Sequence, residues 1–224
     1  MSKTLLTALF SLPLTAIILS FSNIDAGEKI IPVNDNFQKE VVLAEEKKWN
    51  LDRSHSNVKF TVTHMVVSEV DGSFGRFNGS METNGDDLST AKVKFTVEVA
   101  SINTHNENRD NHLRNDDFFN AEKYPEMKFE STSMKKTGDN KYQLTGNLTI
   151  RDVTKPVTFD VTHLGNTVDR GRTKAGFKAK ATIDRFDYNL KWNRATEAGG
   201  LVVAKDVEIN INAAFVTAPA AAGN

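Results

Sequence analysis

The sequence predicts an all-β protein, an antiparallel up-and-down barrel of about eight strands with a short helical connection closing one end. Three observations carry that expectation. Apolar and polar residues alternate with period two between Trp49 and Val216, the strong segments each keep a single apolar face, and hairpin-type turns join successive segments.

A short opening strand is read at Trp49–Asp52. In the next segment Val58, Phe60, Val62 and His64 share one face and Lys59, Thr61 and Thr63 the other, as a half-buried strand requires. Phe74–Met81 is a weaker segment. Ala91, Val93, Phe95, Val97 and Val99 then alternate with Lys92, Lys94, Thr96 and Glu98, and a second weak segment follows at Met127–Met134. Tyr142, Leu144, Gly146, Leu148 and Ile150 repeat the pattern, as do Val157 to His163, Ala175 to Ile183 and Val207 to Phe215. Turns are read at Lys136–Asn140 and at Asp152–Pro156, so segments adjacent in sequence pair in space. Closure removes the edges an open sheet would have to defend; a sandwich is the architectural alternative.

The connection from Ser101 to Pro125 is long for a hairpin protein and should have structure or a role of its own. Asn106–Asn115 can form a short polar helix, and Asp116 or Asp117 can cap a second turn. Leu113, Phe118, Phe119 and Tyr124 supply apolar anchors for seating this segment over a barrel end, as a fixed plug or as a moving lid.

Composition narrows the function. The chain has 224 residues, 39% hydrophobic and 25% charged, with 28 basic against 29 acidic side chains and a net charge of -1. No broad positive field exists to hold nucleic acid. With no cysteine there is no disulfide framework, thiolate metal site or thiol nucleophile. Residues 1–26 read as a secretory signal peptide: Lys3, an apolar run from Leu5 to Phe21 broken by Pro13, and Ile24-Asp25-Ala26 as the cleavage region. That run is short for a bilayer span, so stable membrane insertion is not expected, and the location implied after cleavage is periplasmic or secreted. Residues 27–48 read as a leader or linker, 49–216 as the barrel domain and 217–224 as a disordered tail.

Residue sizes on the inner face bear on function. Ala91, Gly146, Ala175, Ala179, Ala181 and Ala213 stand among Phe60, Phe95, Phe129, Phe159, Phe177 and Phe215. Such a mixture either leaves a lumen or interdigitates into a dry core, and periodicity does not choose between them.

Four ordered blocks decide the matter by resemblance. Asp52 with HSNVKFTVTHMVVSEVDGSFGRFNG (55–79), RDNHLRNDDFFNAEKYPEMKFES (109–131), LTGNLTIRDVTKPV (144–157) and AGFKAKATIDRFDYNLKW (175–192) together resemble the YceI-like family over Trp49 to Phe215. The resemblance implies a lipocalin-like periplasmic barrel holding a polyisoprenoid, of quinone or polyprenyl phosphate type, or a similar long amphiphile. The alternative is a solid barrel acting through its loops as a protein-interaction or stress-response module without lipid.

On the lipid reading the apolar wall comprises Val58, Phe60, Val62, Val93, Phe95, Val97, Phe129, Leu144, Leu148, Phe159, Phe177, Ala179, Ile183 and Ile209. His64, His163, Arg109, His112 and Arg114 are the candidate head-group contacts, the alternative for each being a rim residue or loop ion pair. Arg185, Tyr188, Lys191, Trp192 and Arg194 read as a solvated rim. The five histidines lack metal-ligand spacing, Ser54-His55-Ser56 in an extended chain would point to opposite faces, and no nucleophile elbow occurs, so neither enzyme, metal nor cofactor is expected. Oligomeric state is not legible, a homodimer being one arrangement left open.

Overall fold

The structure is a computed structural model that describes residues 45–196 and 201–218. The proposed signal peptide, most of the leader and the end of the C-terminal tail lie outside the described residues.

The chain forms one antiparallel sheet that closes on itself. β1 (Glu46–Leu51) and β2 (Asn57–His64) are two halves of one stave, broken by a 3-10 turn at Arg53–His55. β3 (Ser68–Phe74) and β4 (Phe77–Asn84) form the next, bent at Gly75-Arg76. β1 pairs β4 through Trp49↔Met81 and β2 pairs β3 through Phe60↔Gly72. β5 (Asp87–Glu98) follows; the chain then makes the two-residue β6 (Ile102–Asn103), which pairs β3, and the helix α1 (Glu107–Arg114). β7 (Glu126–Gly138), β8 (Lys141–Ile150), β9 (Val153–Asp169), β10 (Arg172–Asp184) and β11 (Val203–Thr217) complete the wall in sequence order. β11 closes it, pairing β2 along most of its length and β1 through Leu51↔Phe215. With each broken stave counted once and the two-residue β6 left out, this is an eight-strand closed barrel.

Several boundaries differ from the sequence reading, the turn read at Lys136–Asn140 among them, since β7 runs to Gly138 and only Asp139-Asn140 turn. The weak segment read as beginning at Phe74 starts at Ser68, because Gly72 stands where the alternation needs an apolar side chain. The neighbouring strand supplies that side chain instead: the Phe60 ring occupies the space a Gly72 side chain would fill. The turn placed at Asp152–Pro156 is Arg151-Asp152, with Arg151 at φ 54, and Val153 to Pro156 already belong to β9. Pro156 is tolerated there because this end of β9 pairs only with β8, its ladder with β10 starting at Asp160. The barrel also begins before residue 49, since Lys47 and Lys48 pair with Thr83 and Glu82 in β4, and it runs to Thr217.

The two barrel ends differ. At one, Trp49 is 2% exposed and donates its indole N–H to Thr83 Oγ1 at 3.0 Å, which satisfies the polar atom of a buried aromatic plug. At the other lie α1 and the turns to Pro125. Asn106 caps the helix, its side chain accepting from Arg109 N–H. The second capped turn does not form: Asp116 accepts from Asn120 and Arg151, and Asp117 pairs with His112.

Candidate functional site

The barrel encloses an apolar cavity of about 210 Å³. Every wall residue named from the alternation, from Val58 to Ile209, lies on its lining. Leu113, Phe118 and Phe119 of the long connection close it at the lid end. The alternation did not nominate Met81, Met127 and Met134, which also line it and stand at the ends of the two weak segments.

The cavity is hollow for a different reason than small residues alone. Ala179 and Ala213 do border it, but Ala91, Ala175 and Ala181 are buried without reaching it. Gly146 is covered: a Cβ there would meet the Phe129 ring at 2.5 Å. Phe95 covers Gly79 in the same way, at 2.7 Å, and Phe60 covers Gly72. Each ring leans along the wall onto a neighbouring strand's backbone instead of crossing the axis, so large side chains line the bore without filling it.

A mesh of arginines holds the lid end. Arg109 donates to Thr104 Oγ1 and O, both at 2.8 Å, and Arg114 to the carbonyls of Ala100 and Ile102. Arg151, from the β8–β9 turn, donates to the carbonyls of Asp116, Phe118 and Asn189 and packs over the Tyr124 ring. His112 contacts Phe118 and Trp192 edge to face, which joins the lid to the loop after β10.

The structure does not gather the five candidate head-group residues. His64 ends β2 at the lid end, whereas His163 lies towards the opposite end, its backbone N–H bonded to Asn140 O in the β7–β8 turn. Arg109 and Arg114 spend their donors on the lid's own chain, and His112 pairs with Asp117. None of the five lines the cavity.

Arg185 does. It reads from sequence as a solvated rim residue, yet it is 3% exposed, and Tyr188 beside it is 2% exposed. A 3-10 turn, Arg185–Tyr188, capped by Asp184 accepting from Phe186 N–H, rolls both side chains inward. The guanidinium donates to the carbonyls of Leu190, Trp192, Val203 and Ala204, at 2.6 to 3.0 Å. Of its five N–H groups, one has no carbonyl partner among the described residues. Burial pushes its pKa down, partly offset by Asp184, and the tyrosine is pushed up to about 12 by burial and by Asp187. A strand pattern has no signal for a buried cation just past a strand end.

The Ser54 and His55 side chains do meet, contrary to the extended-chain reading, because the 3-10 turn brings them together. Ser54 Oγ donates to Asp52 Oδ1 at 2.6 Å, and His55 Nδ1 lies 2.8 Å from Asp52 Oδ2 and 3.1 Å from Ser54 Oγ. One ring nitrogen faces both partners, whereas nucleophile activation needs the serine and carboxylate on opposite nitrogens. The cluster works as a turn cap. Among the described residues no three His, Asp or Glu side chains gather as a metal site.

Fold and cavity together define a class: a lidded, closed β-barrel that surrounds a small oily chamber, a container in the manner of lipocalins. Residues 49–215 match the YceI-like domain, and the chain belongs to that family. A UPF0312 protein of Staphylococcus aureus is 38% identical over 170 residues, spanning 75% of this chain and 96% of its own length. One from Staphylococcus epidermidis is 36% identical over the same span. Among solved structures, a Campylobacter jejuni YceI protein superposes with a TM-score of 0.61 at 31% identity, covering 70% of this chain and 90% of its own. Burkholderia cenocepacia BcnA reaches 0.65 at 24%, covering 73% and 98%. A polyisoprenoid-binding domain from Saccharophagus degradans reaches 0.55 at 18%, covering 79% and 99%, which shows a shared fold.

Proposed function

We propose that the protein binds a polyisoprenoid, of quinone or polyprenyl phosphate type, or a similar long-chain amphiphile, in this cavity and carries or stores it in the periplasm or outside the cell. One observation carries the reading: a barrel wall whose aromatic side chains lean onto glycines and leave a continuous apolar chamber under an apolar lid. An empty oily chamber forfeits dispersion contacts and water does not compensate for them, so an apolar chain gains by entering. A dry cavity of about 150 Å³ already admits an aromatic ring. The closed barrel, at about 210 Å³, therefore takes a slender segment, and a longer chain requires the lid residues Leu113, Phe118 and Phe119 to yield. The head group belongs at the lid end, where the buried Arg185 guanidinium supplies positive potential. The polyisoprenoid-binding domain of Saccharophagus degradans, with the same architecture, is consistent with this choice of ligand. A chamber whose one buried ionisable wall residue among the described residues is an arginine tied to carbonyls supports binding rather than catalysis.

The test is native mass spectrometry of protein purified from its own host, followed by lipid extraction. A stoichiometric long-chain lipid supports the reading; protein that flies empty from gentle solution and yields no lipid sinks it.

A further inference from the structure

The hairpin joining β2 to β3 ends in Met65, Val66 and Val67, which are 49%, 79% and 88% exposed. Its backbone is costly: Met65 and Val66 have φ of 52 and 68, a left-handed conformation that penalises a β-branched side chain most. Asn-Gly suits two consecutive positive φ values, and these side chains are exposed, with no described residue shown packing over them to offset the strain. The tip is also not isolated. Met65 N–H donates to Val202 O at 2.8 Å, Val202 N–H donates to Arg194 O at 2.9 Å, and His64 pairs with Val203, which lines the cavity. Arg194 is exposed and accepts the Val202 N–H on its carbonyl, and Lys191 is exposed on the segment whose flanking carbonyls, Leu190 and Trp192, Arg185 ties to those of Val203 and Ala204; neither side chain has a hydrogen bond or ion pair among the described residues.

From this geometry we infer that the Met65–Val67 tip, with Lys191 and Arg194 beside it, seats the lid end of the barrel on an anionic bilayer surface. The inference rests on reading the cavity as a lipid site, which makes a membrane the source and destination of its contents. A convex finger of three apolar residues is far too small for a stable protein interface, whose partners each bury about 800 Å². A fluid headgroup layer closes around such a finger without a preformed hole, and unpaired cations at its base meet anionic lipid. The chain from Met65, bonded to Val202, through Val203 runs into the cavity wall, so docking here places the membrane against the lid end that a ligand must pass.

The chain contains no cysteine, so single labels are unambiguous. Full-length Val66→Cys and Val67→Cys, carrying an environment-sensitive nitrobenzoxadiazole, are mixed with phosphatidylglycerol–phosphatidylcholine vesicles. Val168→Cys, exposed on the β9–β10 hairpin at the other end, is the control; the segment before Glu45 is common to every variant. Tip labels are expected to brighten several-fold and shift to the blue, to weaken with salt, and to respond much less once Lys191 and Arg194 are changed to Gln. The control label stays in water. Met65→Asn with Val66→Gly, read through the Val67 label, should weaken docking about 100-fold, the partitioning of two buried side chains, while melting no lower than the parent. Tip labels that stay wet overturn the inference, as does an equal response at Val168 or a response only to added soluble protein. Loading of a fluorescent long-chain amphiphile, measured separately without vesicles, distinguishes the two claims. A loaded barrel with a wet tip removes the docking surface and leaves the lipid-binding function standing.

Discussion

Phe60 rests its ring on Gly72, the residue directly opposite it on the neighbouring strand, so closely that a methyl group on Gly72 would overlap the ring. The pair lets a large aromatic side chain stay part of the wall. Gly72→Ala must push the ring towards the barrel axis, and it is expected to destabilise the protein by about 1 to 3 kcal/mol and reduce cavity loading. Chemical denaturation with a lipophilic fluorescent probe measures both. Phe60→Leu in the same background should restore much of the stability, and a Gly72→Ala protein as stable as the parent would show that the ring has room elsewhere.

Ala179 gives the complementary case. Its side chain borders the cavity and is only partly buried, so Ala179→Trp can grow into empty space. Loss of probe binding is expected with stability held within about 1 kcal/mol of the parent, since overpacking a filled core would cost about 1 to 3 kcal/mol. An unfolded or markedly weakened variant would mean that the chamber is narrower than the structure has it.

Arg151 is expected to set how firmly the lid is held. Arg151→Ala strands the carbonyls of Asp116, Phe118 and Asn189, each at a cost of about 1 to 3 kcal/mol where water cannot replace the lost donor. Amide exchange across 115–124 should quicken while the strands far from the lid keep their protection, and a bound probe should leave faster. Arg151→Lys should rescue little, because one ammonium cannot span three carbonyls and lie over the Tyr124 ring. Unchanged exchange in that segment would argue against the latch.

Tyr188 predicts an alkaline limit. Its pKa is raised from 10.0 to about 12, first by burial and then by Asp187. The folded protein keeps the phenol proton that the unfolded chain loses, so this contribution is present in full below pH 10.0 and is lost as pH climbs towards about 12. The upper bound is about 3 kcal/mol at 1.36 kcal/mol per unit. Stability of the parent and Tyr188→Phe, measured by denaturant unfolding between neutral and strongly alkaline pH, should diverge only at the alkaline end, the parent falling more steeply. Parallel curves would place the phenol in contact with water.

Much of the wall was legible because a β-barrel imposes period two on every strand that faces both core and solvent. Val93 to Val97, Leu144 to Leu148 and Phe159 could be assigned to the inside from alternation alone, and the long connection's apolar anchors could be assigned to a barrel end. Ser68–Gly72 escaped because its apolar contribution comes from the Phe60 ring on another strand. Arg185 escaped because a charged residue is expected outside, and only the 3-10 turn after β10 rolls it in against four carbonyls. The two histidine candidates were not brought together: His64 and His163 each end an apolar series, but β2 and β9 deliver those ends to opposite mouths of the barrel.

The order of apolar and polar residues was enough to determine that this chain makes antiparallel strands with one apolar face each, and which side chains turn inward. Whether the sheet closes on itself, and whether its inside is hollow, was decided only by tertiary structure. Alternation reports the direction of a side chain and not its tilt, and the chamber exists because three phenylalanine rings lean sideways onto glycines of neighbouring strands.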